Sequence, residues 1–115
     1  MILSLMANHP EPVDIVLDAL AHPARRCIVT QLGCGPATVS DLAVPLRIAL
    51  PTVARHLKVL EDAGLVRSEK IGRQRVCTLH RPALAVVTDW LDAQRHNWET
   101  KADRLEALLK ETEHE

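Results

Sequence analysis

The chain has 115 residues, 47% of them hydrophobic, and a net charge of only −1, which suits one domain with a modest core, a size that often gains stability by pairing with a second copy. It holds no apolar run long enough to span a membrane, and its opening MILSLMA lacks the basic leader and small-residue cleavage site of a secretion signal before Asn8 and Pro10 interrupt it, so a cytoplasmic protein is expected. Its three cysteines, Cys27, Cys34 and Cys77, cannot all pair within one chain, and a reducing compartment would keep them as thiols.

Residues 1–11 are expected to form a flexible tail ahead of a single domain at residues 12–115. Val13, Val16, Leu17 and Leu20 recur at helical spacing, which predicts a first helix over Pro12 to Ala21 with Asp14 and Asp18 outward. Pro23 opens a second helix anchored by Ile28 and Leu32 and broken by Gly33-Cys34-Gly35-Pro36. Thr38 or Ser40 caps a third helix holding Val39, Leu42, Ala43 and Leu46, with Asp41 in its first turn and Pro45 limiting it to two turns or kinking its end.

After the short connection Arg47-Ile48-Ala49, a fourth helix is predicted from about Pro51 to Ala63. Leu50, Val53, Leu57 and Leu60 fall on one side of it, Pro51 suits its first turn, and Gly64 closes it in the left-handed conformation. Thr52, Arg55, Lys58, Val59 and Asp62 point away from the apolar stripe, and His56 sits on its flank. Two helices joined by so short a turn form a helix-turn-helix, whose second helix is the one that reads DNA.

Leu65 to Lys70 and Gln74 to Leu79 read as two strands joined through Ile71-Gly72-Arg73. Arg67, Lys70, Arg73 and Arg75 crowd this hairpin, although like charges on one tip cost stability. The cluster therefore points to an anionic partner such as a phosphate backbone, the alternative being an edge hairpin guarded by cations against aggregation. The charge distribution bears on the choice: residues 47–81 carry eight Lys and Arg against three Asp and Glu, whereas residues 82–115 carry four against eight and residues 1–46 two against four. A basic centre between acidic ends is a localised electrostatic footprint.

From Ala83 to about Thr112 the chain lacks Gly and Pro, and Leu84, Leu91, Trp98 and Leu105 recur every seven residues with Val87 and Leu108 between them. A helix of that length is about 45 Å long, more than a small domain can cover on one side, so part of the seam is expected to meet a second copy. The layout is thus mainly α with a small β-hairpin, a winged helix-turn-helix dimerising through its terminal helices at Val13, Leu17, Leu84, Leu91, Trp98 and Leu105. The expected DNA contacts are Thr52, Arg55, His56, Lys58, Lys70, Arg73 and Arg75. No nucleophile elbow, phosphate loop or paired His-x-x-x-His is present, so no enzyme and no cofactor is expected.

With these pieces in place the chain resembles the ArsR/SmtB family of bacterial winged-helix repressors, over almost everything from Asp14 to Leu109. The stretches that carry the likeness are LDALAHPARRCIVTQL, VSDLAVPLRIALPTVARHLKVLEDAGLV and RSEKIGRQRVCTL, together with the long tryptophan-containing tail. The resemblance implies a homodimer, built on the first and last helices, that represses transcription at a palindromic operator until an effector weakens it. Leu50 and Ala54 stand where the family often has Ser or Gln, which throws the reading of bases onto Thr52, Arg55 and His56.

The usual metal effectors find little here. The third helix reads Ser40-Asp41-Leu42-Ala43-Val44, without the paired cysteines of one family site, and His96 and Glu99 lack the upstream ligands of the other because Ala83 to Ala85 cannot ligate. A metal site from Cys27, Cys34 and His22 is disfavoured by their spacing. An organic or lipid-like effector in an apolar dimer crevice, or none, is the expectation. The alternatives are a protein-interaction module on the same scaffold and a thiol- or metal-responsive version of the repressor.

Overall fold

The computed structural model describes residues 11–113, and the tail expected at residues 1–10 lies outside them. Glu11, the last residue of the expected tail, caps the first helix, its backbone N–H donating to Asp14 Oδ2 at 2.9 Å. The elements run α1 (Pro12–Leu20), α2 (Pro23–Cys34), β1 (Ala37–Thr38), α3 (Val39–Leu46), α4 (Leu50–Asp62), β2 (Val66–Ile71), β3 (Gln74–Leu79) and α5 (Arg81–Glu113). No helix among these residues is long and apolar enough to cross a membrane.

Local chemistry sets the boundaries. Pro12 and Pro23 open their helices, where the missing N–H is no loss. Thr38 caps α3 reciprocally: its Oγ1 accepts from the Asp41 N–H at 3.1 Å, and Asp41 Oδ2 accepts from the Thr38 N–H at 3.3 Å. Pro45 lies inside α3, which ends after eight residues when Arg47 turns left-handed at φ 54°. At the end of α4, Gly64 adopts φ 79°, the Leu65 N–H reaches Leu60 O and the Gly64 N–H reaches Glu61 O, both at 2.9 Å. This double bond pattern satisfies carbonyls the helix would otherwise leave open and throws the chain directly into β2.

The sheet has three strands, not the two read from the sequence, in the order β1-β3-β2, all antiparallel. Only two residues of β1 pair, Ala37 with Cys77 and Thr38 with Val76, too few to show any alternation. Between β2 and β3 the loop is the two residues Gly72 and Arg73, with Gly72 at φ 63° and Ile71 paired to Gln74. A positive φ at the first loop position alone fits the tight hairpin turn that selects Gly there.

The core gathers one face from each of α1 to α4: Val16 and Ala19, Ile28 and Leu32, Leu42, then Val53, Leu57 and Leu60, closed by Leu65, Val66 and Cys77. Leu17, expected at the dimer interface, faces outward, while Ala19 is buried in the core; Leu50, on the apolar stripe of α4, is 51% exposed because the first turn of α4 overhangs the packed centre. Leu84 and Val87 pack against the core, whereas Leu91, Trp98, Leu105, Leu108 and Leu109 along the rest of α5 are exposed, Trp98 by 78%. The molecule measures 75 × 33 × 23 Å, so α5 projects well clear of the domain.

Leu60 is wholly buried, so Leu60→Ala is expected to cost about 2–5 kcal/mol of stability, and Gly64→Ala about 1–2 kcal/mol by forcing a side chain into the left-handed conformation. Urea unfolding curves read both; an unshifted midpoint for the glycine variant would show that the helix closure tolerates a β-carbon.

Candidate nucleic-acid interface

With Val53, Leu57 and Leu60 turned into the core, the helical advance of α4 leaves Arg55, Lys58, Val59 and Asp62 exposed on the far side. Arg55 has no hydrogen-bond or ion-pair partner among the described residues, so its five donors face solvent. Lys58 is held by Asp62 four residues on, Nζ to Oδ1 at 3.0 Å with both side chains largely exposed. An exposed pair of this kind contributes well under about 1 kcal/mol and yields readily to a competing phosphate. Thr52 is half-buried at the edge of this face.

His56 is placed differently from Arg55. It is half-buried and turned towards α2, its ring 4.6 Å from that of His22 and its Nδ1 3.5 Å from Arg25 Nη1. Burial above all, then the positive neighbours His22, Arg25 and Arg55, hold its pKa below the ordinary 6.5.

The wing begins where α4 ends, and strand alternation sorts its cations. The opposed pairs Val66–Leu79, Ser68–Cys77 and Lys70–Arg75 share one face of the hairpin, the face whose inner end is buried, so Lys70 and Arg75 extend the core-facing side outward towards α4. Arg67 lies on the opposite face and reaches His80 Nε2 at 3.4 Å. Arg73 occupies the turn and is exposed.

One contact the sequence did not suggest ties wing to helix. Ser68 Oγ donates to Glu61 Oε1 of α4 at 2.6 Å, and Arg75 Nη1 donates to Ser68 Oγ at 2.9 Å. Arg75 is thereby oriented by a side chain that is itself anchored on α4. The only advance signal was the Glu61 and Ser68 spacing across Gly64, which has meaning only once the turn is known.

The metal ligands weighed from the sequence do not converge. His22 precedes α2 and Cys34 ends it, so about 18 Å of helix separates them, and no group of three or more His, Cys, Asp or Glu among the described residues has the arrangement to hold a metal ion. Cys27 is half-buried, Cys34 exposed and Cys77 buried. Burial pushes the Cys77 thiol up and the Glu61 carboxylate adds to this, against a smaller opposing effect of Arg75.

Comparison with known proteins agrees with the architecture. A helix-turn-helix domain family matches residues 20–69. The transcriptional repressor SmtB of Mycobacterium tuberculosis is 39% identical over 93 residues, covering 76% of this chain and 67% of that protein. The crystal structure of an ArsR family transcriptional regulator superposes with a TM-score of 0.73 at 42% identity, covering 77% of this chain and 98% of that one. The chain belongs to the ArsR/SmtB family. Membership makes it a winged helix-turn-helix DNA-binding transcriptional regulator and not an enzyme, as its sequence leads one to expect. Among the similar solved structures is the solution structure of a homodimeric winged helix-turn-helix DNA-binding domain from Mycobacterium bovis, with a TM-score of 0.60 at 25% identity over 74% of this chain and 81% of that one.

Two outcomes follow from the side-chain environments. In the folded protein Cys34 is expected to react first with an aromatic disulfide reagent, and Cys77 only on unfolding; release of both thiols at one rate contradicts the burial. Because His56 is held below 6.5, the unfolded chain takes up a proton first as pH falls past that value, so the folded state loses stability across the window beneath it. Thermal melts between about pH 7.5 and about pH 5.5 should show this loss, and His56→Leu should lessen it.

Proposed function

We propose that this ArsR/SmtB-family protein is a cytoplasmic homodimeric repressor of a palindromic operator, each copy laying α4 in a major groove with its wing along the adjacent backbone. The observation that carries the reading is the free, outward guanidinium of Arg55 on the second helix of the helix-turn-helix, in a domain whose wing exposes Lys70, Arg73 and Arg75. A planar, five-donor group at that position suits bidentate contact with guanine, whereas Lys58 and the wing cations suit phosphates. Thr52 stands beside the reading face. His56 is directed elsewhere, and its role is taken up below.

Dimerisation is supported by α5. Its exposed Leu91, Trp98 and Leu105, with Leu17 on α1, form an apolar surface too extensive to leave in water, and the related Mycobacterium bovis domain is homodimeric. Leu84 contributes less than its heptad position suggests, since it packs on its own core, and Val13 is half-buried. Two-fold symmetry then sets half-sites about one helical turn, roughly 34 Å, or a multiple of it apart. We assign the effector, where the repressor takes one, to an organic or lipid-like class seated in the apolar crevice between copies, because the metal-donor residues do not converge.

Selection of bound duplexes from a random pool, followed by gel-shift titration at two salt concentrations, tests the reading. Arg55→Ala is expected to cost about 1–3 kcal/mol and relax base preference, while Arg73→Ala weakens all duplexes alike and reduces the salt slope by about one. Sedimentation should give twice the chain mass, falling to one with Trp98→Glu and Leu105→Glu together. No duplex enriched over background, or an undisturbed monomer, rejects the proposal.

A further inference from the structure

Arg25, in the first turn of α2, is bonded to two other helices at once. Its Nε donates to Ala19 O and its Nη2 faces Asp18 O at 3.5 Å, both carbonyls in the last turn of α1. Its Nη1 faces His56 Nδ1 on α4 at 3.5 Å. Beside it, Arg26 Nη1 donates to Leu20 O at 2.8 Å, so two guanidiniums close the negative end of α1. A guanidinium offers donors and never an acceptor, so His56 Nδ1 must accept, which requires a neutral ring carrying its proton on Nε2. His22 Nδ1 accepts from the Ala24 N–H at 3.3 Å and so caps α2.

The groups that face His56 are all basic: His22 at the cap of α2, Arg25 on α2, and Arg55 from its own helix. From α1 it is backbone carbonyls, not a carboxylate, that reach the cluster through Arg25. No acidic side chain is ion-paired with any of these residues among the described ones. A proton on His56 therefore removes the acceptor and sets a cation against Arg25 with no counter-charge to hold it.

We propose that Arg25 and His56 form a proton-sensitive clasp that fixes the angle between α1 and the reading helix α4, so that both are positioning residues for operator recognition and neither touches DNA. The proposal rests on the homodimeric reading, since α1 packs with α5 on the side where the copies meet and the angle of α4 to that side decides whether two reading helices match two half-sites. With the clasp open, α4 keeps its charge and its phosphate attraction but loses its fixed orientation. Discrimination between operator and scrambled duplex then falls, while sequence-independent binding persists.

The test measures that discrimination ratio by gel shift with the operator obtained by selection, at about pH 7.5 and about pH 5.5. The wild type is expected to lose about tenfold on acidification, roughly 1.4 kcal/mol. His56→Leu and Arg25→Gln should each show the lowered ratio already at neutral pH, and the double variant should fall no further than either alone. His56→Gln, whose amide oxygen accepts but does not titrate, should recover the ratio relative to His56→Leu and hold it on acidification. Additive losses, or a loss confined to the His56 variants, would mean that His56 contacts DNA itself and overturn the clasp. Thermal melts identify any variant that is merely unfolded, for which Arg25→Lys, able to serve the carbonyls or His56 but not both, takes the place of Arg25→Gln. A second arm needs no DNA: in the free protein, amide signals of Asp18 to Ala21 should move together with the His56 ring titration, and cease to do so in His56→Gln. Independent movement rejects the clasp. A monomeric mass, or no discrimination at neutral pH, rejects the homodimeric repressor instead and leaves the clasp to be judged by that second arm.

Discussion

Everything the molecule presents to its surroundings is set by how α4 is seated. Val53, Leu57 and Leu60 are all but fully buried on one stripe, and each such side chain contributes about 1.5–3 kcal/mol by leaving water. Turning the helix by a single residue, about 100°, would expose part of that stripe and drag Arg55 or Lys58 towards the core, where an unpaired charge costs several kcal/mol. The two penalties have the same sign, so the outward direction of Arg55 follows from burial on the opposite face. Gly64 adds the second constraint. Its left-handed turn sends the chain from the end of α4 straight into β2, so the wing has little freedom to swing away from the helix it serves.

The hydrogen bonds between helix and wing act on top of that covalent limit. Glu61, Ser68 and Arg75 form a chain in which an acidic group on α4 fixes a hydroxyl and the hydroxyl orients a wing cation. Cys77, directly across the strands from Ser68, is buried beneath them. The same arrangement that aims Arg75 therefore makes this thiol a core residue: its proton is held by burial and by Glu61, and a sulfur that stays protonated is a poor nucleophile. Of the three thiols, Cys34 is the exposed one.

Much of this was legible because it is local. Periodicity placed the helices, proline and glycine placed their ends, and the Arg55 face could be read from a helical wheel. What escaped depends on contacts between distant segments. β1 is two residues long and owes its existence to β3, so no pattern within it could announce a strand. Leu50 lies on the apolar side of its helix yet is half exposed, since a wheel records direction and not how far the core extends along the axis. His56 looked like a neighbour of Arg55 on a reading surface; its environment is set by His22 and Arg25, which precede it by more than thirty residues. Leu84 carries the same heptad spacing as Leu91 and Trp98 but is covered by the domain from which α5 departs, a distinction that sequence spacing alone does not contain.

The partition of charge has a mechanical consequence. Asp14 and Asp18 on α1 and Asp62 on α4 line one cleft, about 550 Å³, at the end of the reading helix away from its N-terminus, while Lys70, Arg73 and Arg75 stand on the wing and Arg55 on the exposed face of α4. A polyanion drawn to the wing cations meets repulsion from the carboxylates of α1, so the field across the molecule has a direction. That gradient favours approach by the reading face over approach by the flank, and it keeps phosphate away from the helix on which the copies would meet. The basic centre and the acidic ends are thus not independent features of composition: one draws the nucleic acid in, and the other restricts the orientation in which it can arrive.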